Sequence, residues 1–302
     1  MKRIINVLLI ITTLSIFSSC KNDNTENNLN NTDDKKIGVL LVNHGSVAKS
    51  WREMLLDVEK SVKYKILANP KISKITTAFM EYTEPSIATR LKEFDKEGFD
   101  EVILVPIFLT VSSHYSHDIP VICGLQADPK IQEELKKEEI EVYKAKAKVT
   151  ITPPLDYTTL LKKNVERRVK KLSQNPENEG VLLVAYGDAD YNQQWEEMVS
   201  DIGKYLKIKT GHENIAYAWC GHLVGYSTEP TLKGIEKLQE LSDNVIVIPV
   251  LVANDPYFQN DIIQKACDMA TGNVIYKQDA ILPDSNLNQW VIDIVNQTVE
   301  NI

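Results

Sequence analysis

From Ile37 onward the apolar positions switch between two periods in a recurring order. Ile37 to Asn43 is a short, almost wholly apolar run that stops at His44-Gly45-Ser46, and Trp51 to Lys65 then carries Leu55, Val58 and Val62 at helical spacing. That pattern predicts strand, turn, helix. Ile75 to Met80 predicts a second strand, and Pro85 to Phe94 a helix whose first turn Pro85 opens. From Glu101 to Leu109 the residues Val102, Ile103, Leu104, Val105, Ile107, Phe108 and Leu109 leave no polar face, as expected of a central strand buried on both sides of a parallel sheet. Ser116 to Lys137 predicts the next helix, Ile140 to Val149 the next strand, and Leu155 to Leu172 a closing helix. The order then starts again, with strands near Val181, Ile215, Val245 and Val274 and a helix after each. Such alternation predicts an α/β protein of two similar doubly wound parallel-sheet units, in which ligands bind beyond the carboxyl ends of the strands.

The duplication is legible residue by residue. Val39 to Ser46 reads VLLVNHGS and Val181 to Asp188 reads VLLVAYGD, each leading into a stretch with a Trp and a Glu-Met (Trp51, Glu53, Met54; Trp195, Glu197, Met198). Val102 to Pro120, VILVPIFLTVSSHYSHDIP, pairs in the same way with Val245 to Ile262, VIVIPVLVANDPYFQNDI. Three substitutions change the chemistry: His44 becomes Tyr186, His114 becomes Tyr257, and Glu81 becomes Gly221. The second copy keeps the surrounding apolar frame, so the fold does not require the two histidines.

The residues before Ile37 read differently. Met1 to Cys20 has Lys2 and Arg3, an apolar run from Val7 to Ile16, and Phe17-Ser18-Ser19-Cys20, which predicts a secretory signal too short to span a bilayer. Its end resembles the lipobox of bacterial lipoproteins, implying a mature chain that begins at a lipidated Cys20; an ordinary cleaved signal is the plainer reading. Residues 21–36 hold a single aliphatic residue and predict a flexible tether. The expected organisation is therefore signal 1–20, tether 21–36, an N-terminal unit 37–175 with the candidate ligands, and a C-terminal unit 176–302 without them. A formal charge of −8 and a pI near 5.3 argue against a nucleic-acid partner. Cys123, Cys220 and Cys267 have no CxxC spacing and read as scattered core thiols, although an exported protein can pair two of them.

His44, Glu81 and His114 each fall at or just past a predicted strand end, so the sheet can gather them at one edge. Two imidazoles and a carboxylate suit a borderline divalent ion such as Co²⁺, Ni²⁺, Fe²⁺ or Zn²⁺ and leave coordination positions open for a substrate.

LLVNHGS, AFMEYTEPS and LVPIFLTVSSHYSHDIP, in that order, resemble the class II tetrapyrrole chelatases of the sirohydrochlorin cobaltochelatase and ferrochelatase type. The resemblance implies two α/β units facing each other across a cleft, and metal-binding and catalytic roles for His44, His114 and Glu81. It further implies insertion of a divalent metal, cobalt first and nickel or iron next, into sirohydrochlorin or a related tetrapyrrole, with no organic cofactor. Ser112-Ser113 and Asn43 depart from the family pattern. Tyr186 and Tyr257 are expected to form the opposite wall of the substrate site, while Lys49, Arg52 and Arg90 are positioned in sequence to meet the macrocycle's carboxylates or else to face solvent. His117 reads as a solvated helix residue, and His222, beside Gly221, could reach the cleft from the second unit but is not among the expected ligands. An exported, lipid-anchored address is unusual for the family. Two other readings stay open: a non-catalytic metal- or tetrapyrrole-binding lipoprotein of the cell envelope, and a periplasmic solute receptor, for which hinge crossovers rather than end-to-end units are expected.

Overall fold

The computed structural model describes residues 35–155 and 157–302; the signal segment, Cys20 and nearly all of the tether lie outside the described residues. In the first repeat the elements run β1 (Ile37–Asn43), α1 (Lys49–Leu67), β2 (Ile72–Phe79), α2 (Ile87–Lys96), β3 (Glu101–Pro106), α3 (Ile119–Ile122), α4 (Pro129–Lys137), β4 (Lys148–Ile151) and α5 (Lys162–Leu172). In the second they run β5 (Glu179–Ala185), α6 (Asn192–Thr210), β6 (Asn214–Trp219), α7 (Glu229–Gln239), β7 (Asn244–Pro249), α8 (Lys265–Met269), β8 (Asn273–Tyr276) and α9 (Ser285–Glu300). Two four-stranded parallel sheets result, ordered β2-β1-β3-β4 and β6-β5-β7-β8.

Strand alternation sorts the apolar residues into three cores. Val39 and Leu41 of β1 and Val181 and Leu183 of β5 point into one core shared by both repeats, while Leu40 and Val42 face a second core and Leu182 and Val184 a third. In each sheet the order reverses beside its first strand, so α1 and α2 lie on opposite faces and a crevice opens at the carboxyl ends of β1 and β3.

Several sequence expectations need correction. The helix after β2 opens at Ile87, capped by the Ser86 hydroxyl, which accepts from Thr89 N–H, rather than from Pro85. The predicted strand Ile140–Val149 gives way to a four-residue strand, Lys148–Ile151, that overlaps only its last two residues, and the predicted helix Ser116–Lys137 breaks into three pieces, beginning with a π-helical turn at His114–Asp118. The two repeats are also not laid end to end. Helix α5, which closes the first repeat, packs on α6 and β7 of the second, and α9, which closes the second, packs on α1 and β3 of the first. Asn164 and Arg167 of α5 both donate to the buried Asp284 carboxylate, while Leu287, Val291, Val295 and Val299 of α9 enter the shared core. The apolar stripe on each closing helix was readable, but not which sheet it covers. Crossovers therefore do not separate this fold from a receptor's.

Candidate functional site

The first strand positions two of the three expected residues. Beyond the end of β1 its pairing with β2 continues: Met80 N–H donates to Asn43 O, and Glu81 N–H to His44 O, both at 2.8 Å. Only glycine at position 45 permits this approach, since its φ is +109° and a Cβ there would lie 2.1 Å from the Glu81 carbonyl oxygen. His44 and Glu81 are thereby set side by side, with 4.0 Å between Nε2 and Oε1. His114 comes from the neighbouring strand: β3 stops at Pro106, and the chain runs over the sheet edge into the π-helical turn that His114 opens. The two Nε2 atoms lie 3.2 Å apart. The sheet therefore brings together all three residues singled out in the sequence.

Hydrogen bonding on the far side of each ring explains that convergence. His44 Nδ1 is 3.1 Å from the Gly45 carbonyl, and His114 Nδ1 is 2.7 Å from an Asp118 carboxylate oxygen. Both partners accept, so both Nδ1 atoms are assigned as N–H donors from these contacts, and each Nε2 keeps a lone pair aimed at the other. Two lone pairs at that separation repel unless a proton or metal ion joins them. Burial, then the nearby His114, holds the His44 imidazole down to about 3. Burial opposes protonation of His114 as well, but the hydrogen bond and charge of Asp118, joined by Glu81 and Asp188, outweigh it and raise its pKa. A single proton shared by the pair accordingly resides on His114. Burial raises the Glu81 carboxyl above the usual carboxylate range, against the pull of His114 and a hydrogen bond from Tyr82.

Strand register confirms the correspondence between the repeats. Asn43 pairs with Phe79 as Ala185 pairs with Trp219, and Cys220 N–H donates to Ala185 O as Met80 does to Asn43 O, which matches Glu81 to Gly221 and Tyr82 to His222. The changed residues are sterically coupled. A Cβ on Gly221 would meet Tyr186 Cδ1 at 2.9 Å, so a tyrosine at 186 leaves no room for an acidic side chain at 221. Tyr186 and Tyr257 both line the cavity. Tyr186 sits edge-on to Phe258 at 4.8 Å and accepts a hydrogen bond from the Trp51 indole.

His222 lies closer to the centre than its sequence context indicated. One ring nitrogen from each of His44, His114 and His222 lies within 4.8 Å of the others. Its ring is 5.8 Å from His44 and 5.5 Å from His114, and burial followed by the two neighbouring imidazoles depresses its pKa to about 4. His117, by contrast, is exposed, with its Nε2 3.1 Å from the Tyr191 hydroxyl, away from the cluster.

The cavity measures about 430 Å³ and is walled mainly by apolar and aromatic side chains, among them Trp51, Phe108, Leu109, Trp195 and Phe258. No lysine or arginine lines it among the described residues. Arg52 donates to the Ser46 and Val47 carbonyls, Arg90 is held by Thr77 O and Glu93, and Lys49 pairs with Glu53, so each of the three cations is engaged within its own repeat, outside the cavity wall. Three hydrogen bonds latch the repeats across the cleft: Ser46 Oγ donates to Asp255 (2.5 Å), and Asp188 accepts from Ser113 N–H (2.9 Å) and from its hydroxyl (3.2 Å). Asp118, Asp188 and Asp255 were not singled out in the sequence. For Asp118 a signal existed, since His114 and Asp118 are four residues apart and share a helical face. Among the described residues the cysteines, Cys123, Cys220 and Cys267, are free and buried, the thiols of Cys123 and Cys267 pushed up to about 12 by burial, which identifies them as core packing.

Two parallel sheets with paired imidazoles at the reversal point define a chelatase-like α/β protein. The SirB protein from Bacillus subtilis with Fe³⁺ superposes with a TM-score of 0.62 at 20% identity, covering 87% of this chain and 95% of that one. The sirohydrochlorin chelatase SirB from Bacillus subtilis subspecies spizizenii in complex with cobalt gives 0.59 at 18% identity, covering 88% and 96%. These likenesses establish the fold. Residues 38–172 match the model of the CbiX family. The sirohydrochlorin cobaltochelatase of Saccharolobus solfataricus is 25% identical over 135 residues, 45% of this chain and 94% of that protein. That of Sulfurisphaera tokodaii is 32% identical over 83 residues, 28% of this chain and 64% of that protein.

Proposed function

We propose that this protein is a metal chelatase that inserts a divalent ion, cobalt foremost and iron or nickel next, into sirohydrochlorin or a closely related tetrapyrrole. One observation carries the reading: two imidazoles whose Nδ1 atoms are engaged by acceptors converge through Nε2 at 3.2 Å, beside the half-buried Glu81 carboxylate and an apolar, aromatic cavity. The metal is a substrate here. Insertion exchanges two pyrrole N–H protons for M²⁺, so a site that both offers lone pairs to a cation and accepts protons serves each half of the exchange. His44, held neutral, and His114, once deprotonated, receive the ion. Glu81, 4.0 Å from His44, takes up a released proton and, ionised, offsets the ion's charge. Tyr186 and Tyr257 offer ring faces to a flat macrocycle.

The test is absorbance-monitored insertion of Co²⁺, Fe²⁺ and Ni²⁺ into sirohydrochlorin under anaerobic conditions. Turnover by the wild type, abolished in His44→Ala and in His114→Ala with both variants folded, is the expected result. Stoichiometric tetrapyrrole binding without insertion of any of the three metals would replace the chelatase by a carrier. We also propose that the protein is exported and held to the cell envelope by lipid on Cys20; labelling with a radioactive fatty acid that is lost in Cys20→Ser checks this, and equal labelling of the variant refutes it.

A further inference from the structure

We infer that His222 is a third metal ligand, contributed by the second repeat, so that the ion is captured between the two halves rather than on the first alone. This inference rests on the chelatase reading for the identity of the pocket, but not for the ion-binding geometry. Three observations support it. One nitrogen from each of the three imidazoles lies within 4.8 Å of the others, and no other cluster of three potential metal ligands occurs among the described residues. The neighbours of His222 orient it: its Nδ1 is 3.3 Å from the Tyr226 hydroxyl, and its ring is tilted against Tyr186 at 6.0 Å. As a ligand it donates Nδ1–H to Tyr226, leaving Nε2 for the metal, the same division of roles that Gly45 and Asp118 impose on His44 and His114. Finally, His222 is the register mate of Tyr82, so the second repeat, having lost both of its own candidate histidines, carries a new one at the adjoining strand end.

Nitrogens bound to one ion at about 2.1 Å are roughly 3–3.5 Å apart, so the cluster must contract by about an ångström. His222 is the residue best placed to move: it is the most accessible of the three, and its Nδ1 contact with Tyr226, 3.3 Å, is longer than those of His44 and His114, 3.1 and 2.7 Å. A ligand of this kind, reached by one side-chain rotation, also gives the ion a route off the protein: releasing His222 opens one face of the ion to the macrocycle while the His44–His114 pair still holds the other.

The decisive experiment is Co²⁺ binding alone, without tetrapyrrole, by titration calorimetry and by the visible ligand-field spectrum of the full chain. His222→Ala is expected to weaken Co²⁺ binding about 10- to 100-fold and to change the spectrum, with the apo melting temperature unchanged. Tyr226→Phe, which keeps the imidazole but not its orienting hydroxyl, is expected to weaken binding several-fold with a spectrum close to that of the wild type. Wild-type Co²⁺ affinity and spectrum in His222→Ala, measured alongside a His44→Ala variant that loses the ion, would overturn the assignment while leaving the chelatase reading intact. The opposite pattern, a His222-dependent Co²⁺ site in a protein that inserts no metal, sustains this inference and removes the chelatase.

Discussion

Gly45→Ala tests most directly how the backbone builds the site. The substitution adds one methyl group at φ +109°, a conformation that costs an L-residue about 1–3 kcal/mol. The new Cβ would stand 2.1 Å from the Glu81 carbonyl oxygen, a backbone atom that no rotamer change can move away. The ends of β1 and β2 must part, and the hydrogen bond from Glu81 N–H to His44 O, 2.8 Å long, is stretched or lost at about 1 kcal/mol net. Together these come to about 2–4 kcal/mol, or a fall in melting temperature of about 5–12 °C for a body of this size. Because the displaced carbonyl belongs to Glu81 itself, a shift near 1 Å is also expected to slow metal insertion about 100-fold. Gly98→Ala is the matched control: its φ is +71°, but nothing lies within 4 Å of the added carbon, so about 1 kcal/mol is lost and insertion is unaffected. Thermal unfolding by circular dichroism and the sirohydrochlorin absorbance assay read both variants. If Gly45→Ala melts no lower than Gly98→Ala, or inserts metal at the wild-type rate, the backbone zipper is not what sets Glu81 beside His44.

Further expectations follow from the same geometry. Gly221→Glu should destabilise by about 2 kcal/mol through the clash with Tyr186, and adding Tyr186→His should recover part of that loss, with a coupling of about 1–2 kcal/mol in a double-mutant cycle; strict additivity would contradict the steric link. Asn43→Ala, which matches Ala185 of the other repeat, deletes a buried amide whose oxygen and nitrogen both lack partners, so the melting temperature should hold or rise by a few degrees; a drop of more than about 3 °C would reveal a bond to that amide. The pH dependence has two opposing parts. His44 is depressed to about 3, so between pH 6.5 and that value the unfolded chain takes up a proton that the folded chain refuses, and stability falls as pH falls; His44→Gln should flatten this limb in urea titrations. His114 is raised above 6.5, so its contribution is full below that pH and fades as pH climbs through its folded pKa, while the insertion rate climbs over the same interval as the imidazole becomes neutral. Asp118→Asn should shift the rate profile toward lower pH, and an unmoved profile would show that Asp118 does not tune His114.

How much of this was legible without coordinates depends on the range of the interaction that decides it. β1 was bounded correctly because a run apolar on both faces permits little besides a buried strand, and the duplication was visible because both copies solve the same packing problem. By contrast, β4 was misplaced: its four residues are only partly buried and carry no strong apolar run. Asp188 and Asp255 escaped notice because their partners, Ser113 and Ser46, lie 75 and 209 residues away and no local pattern announces such a bond. His222 was left out of the expected site, since its position depends on how the second sheet faces the first.

The amino-acid sequence by itself determined the α/β repeat, the three strand ends that carry His44, Glu81 and His114, and the substitutions that leave the second copy without them. These follow from local periodicity and from comparing one half of the chain with the other. Tertiary structure alone decided the exchange of the closing helices, the latches across the cleft, the exclusion of Lys49, Arg52 and Arg90 from the cavity, and the arrival of His222 beside the imidazole pair. The physical reason is that hydrophobic burial specifies that a face must be covered but not by which element. The identity of the covering element, and hence of the residues that meet across it, is settled only when both sheets pack around their shared core.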